Sequence, residues 1–253
     1  MLLAIDVGNT ETKIGCFVEE RLAHMWRVTT ERRRTADEYG VFFTQLFATE
    51  SLKASSVSAV VIASVVPQLD RILVDASMRF FGKEPAFLRP HRQSLMHVDT
   101  DRPAEVGADL VAAAIGARDV YGAPLIVVSF GTATVFIAIA ENGSYAGTAI
   151  APGIAISIEA LVGRTAKLPQ IALEAPAHAI GRDTVSSLQS GVVYGFVGQT
   201  EAIVARFRKE LGSARVVATG GLADVVARQT PVIDVIDPNL SLNGLRLFHE
   251  SQR

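Results

Sequence analysis

Two short stretches of this chain share one pattern, and the repetition limits the folds open to it. Ala4-Ile5-Asp6-Val7-Gly8-Asn9-Thr10 and Val127-Val128-Ser129-Phe130-Gly131-Thr132-Ala133-Thr134 each read as a strand end, a polar residue, an apolar residue, a glycine and a polar turn. Each is followed by a further apolar, β-branched run, at Lys13 to Val18 and at Val135 to Ala140, so each is a strand–turn–strand unit. Two such units in one chain predict a duplicated domain with a cleft between the halves.

The segments between the repeats fit that plan. After the first turn pair and a third strand near His24 to Val28, helical spacing runs from Thr35 to Ser51 through Tyr39, Phe42, Phe43, Leu46 and Phe47. Val57 to Val66 suits a buried parallel strand that Pro67 ends, followed by a helix to Phe81 and a short strand at Ala86 to Leu88. The second half repeats the order, with helices at Ile156 to Leu161 and Asp183 to Leu211, a strand at Ala214 to Thr219, a helix at Ala223 to Arg228 and a closing helical segment after Asn243-Gly244. Alternating strands and helices make the class α/β, with domains expected at residues 1–120 and 121–253.

A chain of 253 residues, 49% hydrophobic and 20% charged, can bury two ordinary cores. Its 24 basic and 26 acidic residues leave a net charge of -2, which gives no electrostatic case for nucleic acid or an anionic membrane. The apolar runs break before the roughly 20 residues a membrane helix needs. Met1 to Ile5 lead straight into Asp6, so they read as a first strand rather than a signal peptide, and the expected location is the cytoplasm. The single cysteine, Cys16, excludes an intrachain disulfide and any cysteine-based zinc site.

Asp6 puts a carboxylate at a strand end beside a turn, Gly8-Asn9-Thr10, whose amides can face a phosphate. A carboxylate repels phosphate oxygens, so its natural partner there is magnesium or the water around it. The competing reading is an Asp-Gly hairpin turn capped by its own side chains. Gly131-Thr132-Ala133-Thr134 is the matching turn of the second half. Thr219-Gly220-Gly221 is a third corner, either a place where a nucleotide approaches the main chain or merely a permissive helix start. Asp109, after Gly107-Ala108 and at a helix start, reads as a first-turn acid stabilised by the helix dipole or as a general base. The run Glu31-Arg32-Arg33-Arg34 reads as a solvated loop, or as arginines that guide an anionic substrate.

Along almost its full length the chain resembles the type III pantothenate kinases. The resemblance is carried by Ala4 to Thr10, Thr35-Ala36-Asp37-Glu38-Tyr39, Ala63-Ser64-Val65-Val66-Pro67, Val106-Gly107-Ala108-Asp109, Phe130 to Thr134, Ile150-Ala151-Pro152-Gly153-Ile154, Thr165-Ala166-Lys167-Leu168-Pro169, Ile180-Gly181-Arg182-Asp183-Thr184, Gln189 to Gly195 and Ala218-Thr219-Gly220-Gly221. It implies two ribonuclease-H-like domains of the actin-like ATPase kind with a nucleotide cleft between them. It also implies a homodimer that transfers the γ-phosphate of ATP to the primary hydroxyl of pantothenate, in coenzyme A synthesis, with magnesium and a monovalent cation, potassium or ammonium. By position, Asp6, Gly8, Asn9, Thr10, Lys13, Gly131, Thr132, Thr134, Gly220 and Gly221 would hold ATP, and Asp6 magnesium through water. Gly107, Ala108, Asp109 and Thr184 would contact pantothenate, with Asp109 as the base.

The chain departs from the family pattern at Leu110, where the family has arginine, and at Ser129 and Ile137, where it has acids. Thr100 stands where the family has tyrosine. Ser129 would take the metal position of the missing acid without its charge. These departures keep two further readings open: a catalytically impaired subunit completed by a paralogous chain in a heteromer, and a non-enzymatic regulatory homologue.

Overall fold

The computed structural model describes residues 1–165 and 167–252. Ala166, within one of the resemblance segments, lies outside the described residues. The chain forms two compact units, Met1–Gly116 with Leu240–Arg253, and Ala117–Asn239.

The first unit is built on a five-stranded sheet. Its strands are β1 (Leu2–Val7), β2 (Glu11–Val18), β3 (Arg21–Thr29), β4 (Ala59–Ser64) and β5 (Ala86–Phe87), in the order β3-β2-β1-β4-β5. β1 runs antiparallel to β2 and parallel to β4, so it is central, and all six of its residues are buried. Successive side chains alternate between faces. Leu3, Ile5 and Val7 pack with Tyr39, Phe43 and Phe47 of α1 (Ala36–Thr49) and Leu69, Leu73 and Ala76 of α2 (Pro67–Phe81). Asp6 belongs to the opposite face.

Local chemistry sets the helix limits. Thr35 and Glu38 form a reciprocal capping box at the start of α1. Pro67 opens α2 and Gly82, at φ +64°, ends it in the left-handed region. α3 (Ala108–Tyr121) begins one residue before Asp109, which puts Asp109 inside its first turn.

The second unit repeats the sheet. β6 (Leu125–Phe130), β7 (Ala133–Ile139), β8 (Tyr145–Pro152), β9 (Arg215–Thr219) and β10 (Val235–Ile236) lie in the order β10-β9-β6-β7-β8, with β6 antiparallel to β7 and parallel to β9. Ile126, Val128 and Phe130 face a core with α4 (Ile154–Gly163), α5 (Thr184–Leu211) and α6 (Ala223–Ala227). Strand for strand this is the topology of the first sheet, so the duplication read from the two turns extends to whole units.

The sequence reading assigned everything after residue 120 to the second half. The structure differs at the end of the chain, where α7 (Leu240–Glu250) packs on β1, β2 and β4. Gly244, expected before the closing helix, lies inside it and lets α7 meet α3 backbone to backbone, since any Cβ there would collide with the Ala112 carbonyl. Among the described residues no helix is long and apolar enough to cross a membrane.

Candidate active site

In the first unit the C-terminal end of β1 gathers three charged groups. Asp6 and Lys13 are cross-strand partners of the β1–β2 ladder. Asp109 is close enough to both for their charges to act on it. Asp6 is buried, its Oδ2 accepts from the Ser241 hydroxyl of α7 at 2.5 Å, and its Oδ1 has no protein partner among the described residues. Burial raises the Asp6 pKa above the ordinary carboxylate value, against the pull of Lys13 and of the Ser241 hydrogen bond.

Asp109 is half-buried in the first turn of α3, and its Oδ1 accepts from the Leu110 N–H at 2.8 Å. Desolvation first, and the Asp6 charge second, push its carboxyl up to about 6. The Leu110 bond matches the first-turn-acid reading, whereas the raised pKa matches a group that can exchange a proton near neutral pH. Gly107 immediately precedes α3 and Ala108 is its first residue.

The turn at residues 8–10 is braced from behind. Gly8 N–H donates to the Glu11 carbonyl at 3.0 Å, and Thr30 donates its hydroxyl to the Gly8 carbonyl at 2.8 Å and its N–H to the Thr10 carbonyl at 2.9 Å. Arg32 Nη2 donates to Asn9 Oδ1 at 2.9 Å, so this member of the basic run, read from sequence as a solvated loop, belongs to the turn. Asn9 and Thr10 themselves are exposed.

The second unit has its own turn. Gly131 N–H donates to the Ala133 carbonyl, and Gly153 N–H, from the turn into α4, donates to the Thr132 carbonyl at 3.2 Å. Gly131 and Thr132 are exposed. Thr134 differs from expectation: it is the second residue of β7, fully buried, and its hydroxyl, like that of Thr219, has no protein partner among the described residues. Gly220, at φ +97° and pressed against the Phe130 backbone, tolerates no side chain, and Gly221 beside it is exposed. Ser129 sits on β6 where Asp6 sits on β1, each the next-to-last residue of its strand, while Ile137 is fully buried in β7. Thr184 is exposed at the first turn of α5, behind the Asp183–Ser186 capping box.

Sequence reasoning missed Ser241 and Thr30 because each acts across a long stretch of chain. Ser241 lies 235 residues from the carboxylate it bonds.

The type III pantothenate kinase family model matches residues 2–206. The chain belongs to that family. A type III pantothenate kinase of Anaeromyxobacter sp. is 47% identical over 254 residues, covering 100% of both chains. Another, from Moorella thermoacetica, is 45% identical over 251 residues and 99% of each. Among solved structures, a Sinorhizobium meliloti protein assigned as a 2-dehydro-3-deoxygalactonokinase matches with a TM-score of 0.61 at 14% identity, covering 99% of this chain and 96% of that one. This type III pantothenate kinase family member therefore has the two ribonuclease-H-like domains expected of it, and its family's reaction is ATP-dependent phosphorylation of pantothenate.

Proposed function

We propose that the site in the first unit performs that phosphoryl transfer with Asp109 as general base. The observation that carries the reading is the pairing of two neighbouring carboxylates with distinct surroundings, Asp6 with an orphaned buried oxygen and Asp109 pushed up to about 6 by burial and the Asp6 charge. Asp109 takes the proton of the pantothenate primary hydroxyl as that oxygen attacks the γ-phosphorus, the bond from phosphorus to the β,γ-bridging oxygen breaks, and ADP leaves. Gly107 and Ala108 bring the acceptor against Asp109.

In the first unit the backbone turn at residues 8–10 and Lys13 bind ATP phosphates, and in the second unit the turn at residues 131–134 with Gly220 and Gly221 presents backbone of the same nucleotide-binding kind. Asp6 suits magnesium held through water, because hydrated magnesium needs only one or two carboxylates besides the phosphates and the Asp6 Oδ1 is available to accept. When bound, the ion supplies charge neutralisation to the β- and γ-phosphates. The monovalent-cation position is a poorer fit, since Ser129 offers a hydroxyl and the buried Ile137 no donor. No step is routed through such an ion. A homodimer, in the cytoplasm, completes the reading.

The test is purified protein with ATP, magnesium and pantothenate, with and without potassium or ammonium, scored by mass spectrometry for 4'-phosphopantothenate. Product from this chain alone supports the proposal. Absence of product under every condition, restored on mixing with a paralogous chain, would replace it with the heteromer reading that Leu110, Ser129 and Ile137 leave open.

A further inference from the structure

We propose that the carboxylate of the acceptor is recognised by Arg89 and Arg92 on the wall of a cavity in the first unit, rather than from position 110. The inference rests on the pantothenate kinase reading and assigns the residues that select an acidic acceptor. The cavity, about 590 Å³, is lined by the corner between β4 and α2, by Arg89, His91 and Arg92 of the loop after β5, and by the segment that ends at Gly107 and Ala108. That volume is in the ordinary range for a small-molecule site. Asp109 does not itself line the cavity, but its Oδ1 lies 2.5 Å from where a Cβ on Gly107 would stand, so the carboxylate adjoins the end of this wall.

The charges on the wall favour an anion. Its only lining carboxylate is Glu105, which is already paired with Arg102 at 3.0 Å. Arg92 is exposed to the cavity mouth. Arg89 is fixed on two sides: Nη2 donates to Asp70 Oδ2 at 2.9 Å, and the guanidinium lies 4.8 Å over the Phe87 ring. A guanidinium held in this way presents a rigid donor fork, which matches a carboxylate bidentately and loses little entropy in doing so. Leucine at position 110 has no donor on its side chain. Pantothenate carries a primary hydroxyl at one end and a carboxylate at the other, so the two requirements fall on different walls of one site.

The experiment titrates pantothenate, and separately its N-alkyl amide without the carboxylate, into the wild type, Arg92→Ala, Arg89→Gln and the double variant, alongside KM for ATP. The exposed Arg92→Ala keeps the test independent of any folding defect from unpairing Asp70. The expected result is a Kd for pantothenate raised about tenfold in Arg92→Ala and on the order of a hundredfold in Arg89→Gln, with amide binding and KM for ATP unchanged. Wild-type pantothenate affinity in the double variant overturns the assignment while leaving the kinase reading intact. So does an equal loss for acid and amide, or a rise confined to KM for ATP, which would make this a nucleotide-phosphate wall. A wild type that binds no pantothenate removes the functional reading itself and the inference with it.

Discussion

Asp109→Asn removes the charge at the proposed base while keeping its shape, and the structure sets both the sign and size of the result. The folded carboxyl titrates at about 6, against an ordinary value of 3.8. Between those values the folded protein holds a proton that the unfolded chain has released, so the Asp109 contribution to stability is fully present below about pH 4 and is lost as pH rises through 6. The rise of roughly two units corresponds to about 3 kcal/mol at 1.36 kcal/mol per unit, and solvent screening of a half-buried group makes that an upper bound. Asparagine never ionises and can still accept from the Leu110 N–H, so Asp109→Asn should match the wild type near pH 4 and exceed it by about 1–3 kcal/mol at pH 8. Trp26, the one tryptophan, lies on β3 with its ring 6.0 Å from Phe47, so its fluorescence in urea reports on the unit that contains Asp109. In the same samples kcat should fall on the order of 10²–10⁴-fold, and the wild-type kcat/KM for pantothenate should rise tenfold per pH unit up to about pH 6 and then level. A variant with no pH-dependent gain in stability refutes the buried-charge argument. Retained kcat refutes the base.

Three further substitutions probe the supports of the site. Ser241→Ala removes the hydrogen bond to Asp6 and should cost about 0.5–1.5 kcal/mol by urea denaturation, while moving the Asp6 pKa further up by carboxyl-labelled NMR. Arg32→Ala should raise KM for ATP about fivefold with kcat nearly unchanged, because Asn9 loses the donor that orients it; an unaltered KM would return Arg32 to the solvated loop. Gly220→Ala forces a side chain into a left-handed backbone position against Phe130 and should lower stability by at least about 2 kcal/mol in a thermal melt followed by circular dichroism.

What the sequence displayed and what it concealed divide by range. Strand-turn-strand repeats, the helical spacing from Thr35 and the strand end at Pro67 are local signals, and each corresponds to an observed element. α7 was mis-assigned because its partners, β1 and β4, lie at the other end of the chain, and nothing local to Gly244 announces that Ala112 needs space there. Thr134 reads as a turn residue, but β7 begins one residue before it, so its hydroxyl is buried in a strand, which hydropathy does not reveal. Arg89 carried no motif at all. Its significance depends on Asp70 and Phe87, which reach it only once α2 and β5 are packed.

The sheet topology explains why phosphate turn and acid wall occur in the same unit. β1 and β4 are parallel neighbours, with Asp6 opposite Ala63 and Val7 opposite Ser64, so both strands end at one edge. Chain leaving β1 becomes the turn at residues 8–10, and chain leaving β4 becomes the Ser64–Val65–Pro67 corner that lines the cavity. Carboxyl ends of parallel strands are where α/β sheets place ligands, because the loops there can vary without disturbing the ladder. The second sheet offers the same edge, with Ser129 opposite Thr219, yet there the loops carry glycines and hydroxyls instead of a carboxylate. Duplication thus supplied two equivalent edges, and the charge difference between Asp6 and Ser129 is why the proposed metal and proton-transfer roles are assigned to the first. If Ser129→Asp strengthened magnesium binding in calorimetry while Asp6→Asn left it unchanged, that division of labour would be reversed.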